Sequence, residues 1–257
     1  MFNKILASIG IGSAKVDLVL NQEHLVMGEP IHGTIKIRGG KVAQEIEGLS
    51  VELRLTSRFQ KDDQTIPVNE TLAKVEVIRQ KFMIQPNEYL EYPFHFICPM
   101  YLPVSSVTTR YYFKTSLEID SGLDSHDRDY VTVYPTGLQK NFLDAFHALG
   151  FVHQYEGYTG KRYGGRQIIK FQPTTWLRGQ YDEIEFSYNP KDTQSCVSGF
   201  FELDKKTTGI AGLIADKLDL DERKGMFYFS AHDLATLDKA IDTIKHFIIE
   251  NSRGLIG

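Results

Sequence analysis

Gly28-Glu29-Pro30-Ile31-His32-Gly33-Thr34-Ile35-Lys36-Ile37-Arg38 decides how this chain folds. Ile31, Gly33, Ile35 and Ile37 alternate with His32, Thr34, Lys36 and Arg38. A period of two puts the first set on one face of a strand and the second on the other. Gly28-Glu29-Pro30 turns the chain into this strand, and Gly39-Gly40 ends it. The pattern is that of a half-buried strand, apolar toward a core and polar toward water.

The same grammar extends outward in both directions. Val16, Leu18 and Leu20 precede it. Leu49, Val51, Leu53 and Leu55 follow, alternating with Ser50, Glu52, Arg54 and Thr56. Residues 60–70 read as a polar excursion, and Lys74–Ile84 as a further strand-like segment. In Tyr89–Cys98 the aromatics Tyr92, Phe94 and Phe96 share a face, with Glu91 and His95 opposite. Pro93 and Pro99 confine that segment to a sheet edge, a bulge or a strand end, because proline offers no N–H to a ladder. Tyr111, Phe113, Thr115, Leu117 and Ile119 form another alternating face, and Tyr130-Val131-Thr132-Val133 closes the series. Seven or eight short strands and no sustained helical period predict a β-sandwich of roughly 120 residues.

Pro135-Thr136-Gly137 marks a boundary, which divides the chain into 1–135 and 136–257. Beyond it Leu138, Phe142, Ala145, Phe146 and Leu149 recur at helical spacing, with Gly150 as the stop. Val152–Tyr158 and Gln167–Gln172 read as strands around a glycine-rich connection, and 181–203 as a hairpin turning at Asn189-Pro190. A short amphipathic helix is expected over 209–218 and a strand over Met226–Phe229. Leu234, Leu237, Ile241, Ile244 and Ile248 predict a final helix of about 17 residues, capped by Ser230 or Asp233. The second region is therefore α+β. The expected fold is a mainly β N-terminal sandwich followed by an α+β C-terminal region.

The 257 residues carry a net charge of −4, and both halves are slightly acidic. That does not call for nucleic acid or an anionic bilayer as partner. Cys98 and Cys196 are the two cysteines, too few for a secreted disulfide framework or a zinc site. A reducing cytoplasm fits. No run of 18 apolar residues occurs, so no spanning segment is expected. Phe2, Ile5, Leu6 and Ile9 share one helical face at the N-terminus and read as a short docking helix, or as a peripheral membrane-touching face.

No catalytic pattern in the sequence is complete. Gly10-Ile11-Gly12 precedes a strand, has Lys15 where the dinucleotide fingerprint needs glycine, and does not open a helix. Gly160-Lys161 lacks the upstream glycine and downstream Ser/Thr of a phosphate loop. The eight histidines, at 24, 32, 95, 126, 147, 153, 232 and 246, form no His-x-x-x-His spacing. His147 and His153 lie six apart across a helix end, where ordinary packing is the plainer reading. No metal and no cofactor is expected, and the chain reads as a non-enzyme.

Two segments are better suited to contact with other proteins. Tyr158, Lys161, Arg162 and Tyr163 interleave aromatics with cations in a glycine-rich tip, and exposed Tyr and Arg dominate binding hot spots. Glu183 and Glu185 share a face of one strand beside Asp182 and read as a solvated face or a contact to Lys/Arg. Asp127-Arg128-Asp129 reads most plainly as a surface salt-bridge cluster.

Residues 28–37, the run Tyr92-Pro93-Phe94-His95-Phe96-Ile97-Cys98-Pro99 and the stretch Arg110-Tyr111-Tyr112-Phe113-Lys114 resemble the paired strands of arrestin-type N-domains. The opening Met1-Phe2-Asn3-Lys4-Ile5-Leu6-Ala7-Ser8-Ile9-Gly10-Ile11-Gly12-Ser13-Ala14-Lys15-Val16-Asp17 is the more specific signal. It resembles the start of the bacterial sporulation-control family SpoOM. The helix after Pro135 departs from a two-sandwich arrestin, whose second domain opens with strands. The SpoOM resemblance implies a regulator of sporulation that acts on cell-division machinery. The expected activity is that of a cytoplasmic adaptor whose partners are other proteins, cell-division or cytoskeletal components among them, with homodimerisation left open. The alternative is a small-ligand or lipid-binding module held at a membrane through Phe2, Ile5, Leu6 and Ile9.

Overall fold

The computed structural model describes residues 12–62, 64–120, 122–206, 222–253 and 255. The expected N-terminal helix with Phe2, Ile5, Leu6 and Ile9, and the expected helix over 209–218, lie outside these residues. The chain divides into two compact units. One runs up to Thr56 and takes in Asn69–Pro99 and Arg110–Val133. The other comprises Ser57–Val68, Met100–Thr109 and the chain from Tyr134 on.

The first unit is all β among its described residues. One sheet has the order β1-β3-β7, from Lys15–Leu20, Pro30–Arg38 and Tyr89–Ile97. A larger sheet has the order β2-β9-β8-β4-β5, from His24–Val26, Ser125–Tyr134, Arg110–Ile119, Gln44–Lys61 and Gln64–Ile78. A short β6, Phe82–Ile84, pairs with β4. The expected alternation holds: Ile31, Ile35, Ile37, Leu49, Val51, Leu53, Leu55, Phe113 and Leu117 are all at 0–1% exposure. Each such side chain contributes about 1.5–3 kcal/mol relative to an exposed one. Phe94 and Phe96 of β7 meet Phe113 of β8 edge to face at 5.5 and 5.2 Å, so the two inner faces interdigitate as in a sandwich. Pro93 sits in β7, the edge strand its chemistry requires.

Residues 60–70 are not a loop. β4 and β5 carry the ladder almost to the turn, with Asp62 at φ +48° between them. The β-branched Thr65, Ile66 and Val68 sustain the strand even though polar residues surround them.

Among its described residues the second unit packs two helices on one face of a five-stranded antiparallel sheet. The sheet order is β10-β11-β12-β13-β14, from Phe151–Tyr158, Gln167–Pro173, Tyr181–Tyr188, Cys196–Lys205 and Glu222–Ser230. Helix α1, Gly137–Ala148, buries Phe142, Leu143, Ala145 and Phe146. It stops as expected: Gly150 adopts φ +80°, and its N–H donates to the His147 carbonyl. Helix α2, Leu237–Asn251, begins later than expected and is 15 residues long. Neither Ser230 nor Asp233 caps it. Asp233 instead accepts from the Ser230 N–H and hydroxyl at 2.8 and 2.7 Å, which makes a turn of 230–233. Thr236 is the cap and accepts from Lys239 N–H.

The second unit also holds a buried polar network. Gln139 Nε2 donates to the Leu102 carbonyl at 3.0 Å and to Tyr188 Oη at 3.1 Å. Tyr188 donates to Gln167 Oε1 at 3.1 Å, and the same oxygen accepts from Val104 N–H at 2.9 Å. This network is why Met100–Thr109 belongs to the second unit. Ser57 has a similar part, accepting from Tyr158 N–H at 3.0 Å and pairing with Thr109 Oγ1 at 2.8 Å.

Candidate functional site

The helices cover one face of the five-stranded sheet, and the alternation of β13 and β14 sends the other set of side chains away from them. On that face Phe200, Met226 and Tyr228 are 48%, 75% and 66% exposed. Register makes them neighbours: Phe200 lies opposite Met226, and Ser198 opposite Tyr228. Directly opposite residues on one face have Cβ atoms about 4.5–5.5 Å apart, as for Phe200 and Met226, and diagonal ones about 7–8 Å, as for Phe200 and Tyr228, which is within reach of an aromatic ring, so the three form an apolar patch. The Arg166 guanidinium lies over the Phe200 ring at 4.6 Å. The inner partners Phe201, Phe227 and Phe229 are buried, which holds the strands that present the patch.

A row of ion pairs borders the patch. Lys170 on β11 reaches Glu183 at 2.5 Å and Glu185 at 3.2 Å on β12. Glu202 on β13 meets Lys224 on β14 at 3.2 Å. Glu183 and Glu185 share a face as expected, but they do not wait unpaired for a partner's Lys or Arg: Lys170 of the same sheet engages both. Burial lowers the Lys170 pKa, but the hydrogen bond it donates to Glu183 and the two carboxylate charges outweigh that, and the ammonium is held above its usual range. Burial pushes Glu185 up, against the pull of Lys170.

The glycine-rich tip between β10 and β11 adjoins this face through Arg166. Lys161–Tyr163 form one 3-10 turn between Gly160 and Gly164, and Gly164 adopts φ +90°, a conformation that excludes a side chain at little strain. Lys161 and Arg162 are exposed. Tyr163 is half-covered: it packs edge to face on Phe59 at 5.3 Å, with the Lys61 ammonium 5.1 Å from its ring centre. Tyr158 does not belong to the exposed tip. It is 5% exposed, at the end of β10 where Glu156, Gly157 and Tyr158 are buried in succession. Sequence reasoning missed Phe200, Met226 and Tyr228. The available signal was the near-continuous aromatic character of β13 and β14, which leaves one aromatic set without a core.

Other candidates resolve into packing. His153 pairs with Glu156 and lies edge to face on Phe171, and His147 ends α1. Among the described residues no three or more His, Cys, Asp or Glu side chains are grouped to hold a metal. Both cysteines are free, and burial pushes the Cys98 thiol up to about 12. Cys196 is half-buried rather than enclosed. No helix among the described residues is long and apolar enough to cross a membrane.

Asp127-Arg128-Asp129 on β9 is not a surface salt-bridge cluster. Asp127 accepts from the Leu18 N–H at 2.9 Å, and Ser125 accepts from Val16 N–H at 3.2 Å, so β9 side chains satisfy the outer N–H groups of β1. Arg128 lies over the Tyr112 ring at 5.4 Å. Burial, then the charge and hydrogen bond of Asp127, then Asp17, push the Asp129 carboxyl up to about 7. The folded state thus holds this proton more tightly than the unfolded chain, where carboxyls titrate near 4. Stability contributed by protonated Asp129 is present below about pH 4 and is lost as pH rises through about 7. Asp129→Asn is expected to remove that slope and to stabilise the protein at pH 8 by about 1–2 kcal/mol, after solvent screening of a half-buried group. Urea unfolding at pH 5 and pH 8 measures it; equal pH slopes for the two proteins contradict the assignment.

A profile of the SpoOM protein family matches residues 2–207. The chain belongs to the SpoOM protein family. A curated relative, the sporulation-control protein spo0M of Bacillus subtilis (strain 168), is 28% identical over 253 residues, covering 96% of this chain and 97% of that one. The crystal structure of Spo0M, sporulation control protein, from Bacillus subtilis matches with a TM-score of 0.73 at 25% identity, over 94% of this chain and 100% of the other. The SpoOM resemblance of the opening residues is thereby confirmed across the chain, and so is the mainly β fold with a helical C-terminal part. The SpoOM profile ends at residue 207, so it spans β10 to β13 but not β14.

Proposed function

We propose that this SpoOM-family chain is a cytoplasmic regulator of sporulation that works as a non-enzymatic adaptor, binding other proteins through the open face of its C-terminal sheet. The observation that carries this reading is the contiguous Phe200–Met226–Tyr228 patch with Arg166 at its margin. Aromatic, Met and Arg side chains are the types enriched at binding surfaces, and a polar border excludes water around them. The ion-paired row Lys170–Glu183–Glu185 and Glu202–Lys224 supplies that border. An exposed apolar cluster of this kind on a folded sheet has no benefit for stability, which favours a role in recognition. The name of the Bacillus subtilis relative, a sporulation-control protein, supports the sporulation part of this reading.

The test is affinity capture with crosslinking from growing and starved cells, read by mass spectrometry. The chain carrying Phe200→Ser, Met226→Ser and Tyr228→Ser is expected to lose its enriched protein partners about tenfold or more, the ~1.4 kcal/mol or larger effect typical of a hot-spot cluster. Its Tm is expected to stay unchanged, since none of the three is buried. Lys161→Ala with Arg162→Ala is expected to weaken capture less, because the tip is a margin of the site. Undiminished capture by the triple variant removes the face from the account.

A further inference from the structure

Eight histidines are scattered along the sequence, but the register of β3 and β7 brings two of them together. His32 lies directly opposite His95. Both side chains are exposed on the outer face of the β1-β3-β7 sheet, since Ile31, Phe94 and Phe96 occupy the inner one. The ladder fixes what kind of pair this is. Cys98 N–H donates to the Glu29 carbonyl, and the His32 carbonyl accepts from Asn21 N–H on the side away from β7. Counting along the ladder, His32 and His95 form a non-hydrogen-bonded pair, the kind whose Cα atoms approach to about 4.5 Å and whose side chains lie closer. Their ring centres are 4.7 Å apart, and the two Nδ1 atoms are separated by 3.3 Å.

That separation has a chemical meaning. A tetrahedral zinc ion with Zn–N distances of about 2.0–2.1 Å holds two nitrogens about 3.3–3.4 Å apart. The pair therefore already has the bite of a bidentate ligand. Its neighbours on the face, Pro30, Thr34, Pro93 and Ile97, carry no charge to oppose a cation. Pro30 and Pro93 also restrain the backbone beside each histidine, because proline fixes φ. Neutral imidazoles supply the lone pairs.

We infer that His32 and His95 form a surface site for a late first-row divalent cation, Zn2+ or Cu2+, bound through the two Nδ1 atoms with water in the remaining positions. Without metal, one Nδ1–H donates to the other Nδ1. On binding, the donor ring gives up its Nδ1 proton to water and takes one from water at Nε2, so that both rings are the neutral Nε2–H tautomer and no net proton is released. Imidazole donors suit these ions, and the Irving–Williams order makes Cu2+ the tighter of the two. This site lies in the first compact unit and does not depend on the sheet face proposed above.

The experiment uses the full chain. Zn2+ is titrated while the histidine ring 15N signals are followed, and affinity is measured by competition with a chelating dye. With one equivalent of Zn2+ the Nδ1–H form of the donor ring is expected to disappear, leaving His32 and His95 both as the Nε2–H tautomer with shifted Nδ1 signals. His95→Ala, and separately His32→Gln, is expected to weaken Zn2+ about tenfold or more, at least the cost of losing a supporting group around a metal. Cu2+ on the unaltered chain is expected to show two equatorial imidazoles by pulsed electron paramagnetic resonance, and one after either substitution. Ring signals of His32 and His95 that stay put while Zn2+ binds, or unchanged affinity in both variants, overturn the assignment. The ring spectra of the unaltered chain decide the matter even if a variant folds poorly.

Discussion

Phe142→Ala is expected to destabilise the second unit by about 3–5 kcal/mol, the cost of truncating a fully enclosed aromatic and leaving a cavity. Phe142 is at 0% exposure on α1. Its ring meets Phe146 at 5.1 Å, Tyr188 at 5.5 Å, and Phe186, Phe227 and Phe229 at 6.0–6.1 Å. One side chain thus joins the helix to three strands, β12 and β14 directly and β13 through Phe186 and Phe201. Aromatic pairs add about 0.5–1.5 kcal/mol each beyond area burial, so the loss is expected at the upper end of the range. The surroundings are themselves rigid rings and collapse poorly into the space left. Urea denaturation followed by the near-ultraviolet signal of the aromatics measures it. A loss below about 1 kcal/mol means that the cluster repacks and that Phe142 is not its centre. Because Phe227 and Phe229 alternate with Met226 and Tyr228, loosening this cluster is also expected to disturb the outer face.

The first unit was legible because one physical rule governs it. A strand with one wet and one dry face needs alternation, and Ile31 to Ile37, Leu49 to Leu55 and Tyr111 to Ile119 follow it, with Ser50 and Tyr112 buried on the opposite face as the exceptions. The hairpin over residues 60–70 escaped because both strands there are polar on at least one face, and alternation carries little contrast when the buried set is only Phe59 and Val68. Helix α2 was placed a turn early for a related reason. Leu234 is fully buried and fits the helical spacing, but it belongs to the turn before the cap. Periodicity records burial, and a turn buries side chains as well as a helix does.

The candidate site was partly legible. Glu183 and Glu185 do face the same way, and the tip with Lys161 and Arg162 is exposed. What escaped was pairing across strands. Lys170 lies thirteen residues from Glu183 in sequence, yet is its ion-pair partner. His32 and His95 are 63 residues apart and touch. Spacing rules detect ligands on one helix or in one loop. An antiparallel sheet joins residues by register, which depends on every turn between them. Phe200 and Met226 fall within expected strands, but sequence alone does not tell which face of a doubly apolar strand the helices will cover.

Gln167→Leu is the second large effect expected. Gln167 is fully buried, yet it is a polar side chain at the start of β11. Its Oε1 accepts two hydrogen bonds, from Val104 N–H and from the Tyr188 hydroxyl, and its Nε2 faces the Val104 carbonyl at 3.5 Å. Leucine has a similar size, so the space stays filled. What is lost is the acceptor shared by two buried donors. Each donor left unpaired costs about 1–3 kcal/mol, giving an expected loss of about 3–4 kcal/mol. Tyr188→Phe removes one donor together with its need for a partner, but also one acceptor of Gln139 Nε2, which keeps its bond to the Leu102 carbonyl, and it is expected to cost about 1–2 kcal/mol. The order of the two variants is the decisive feature, since simple packing predicts two nearly neutral changes. Chemical denaturation gives the free energies. Hydrogen exchange at Val104 provides the local reading: its amide is expected to lose protection in Gln167→Leu and to keep it in Tyr188→Phe. Equal exchange in both variants means that something other than Gln167 holds the Met100–Thr109 segment. The buried Gln139 Nε2 would then be the group to test, because it is the other donor that reaches this segment, through the Leu102 carbonyl.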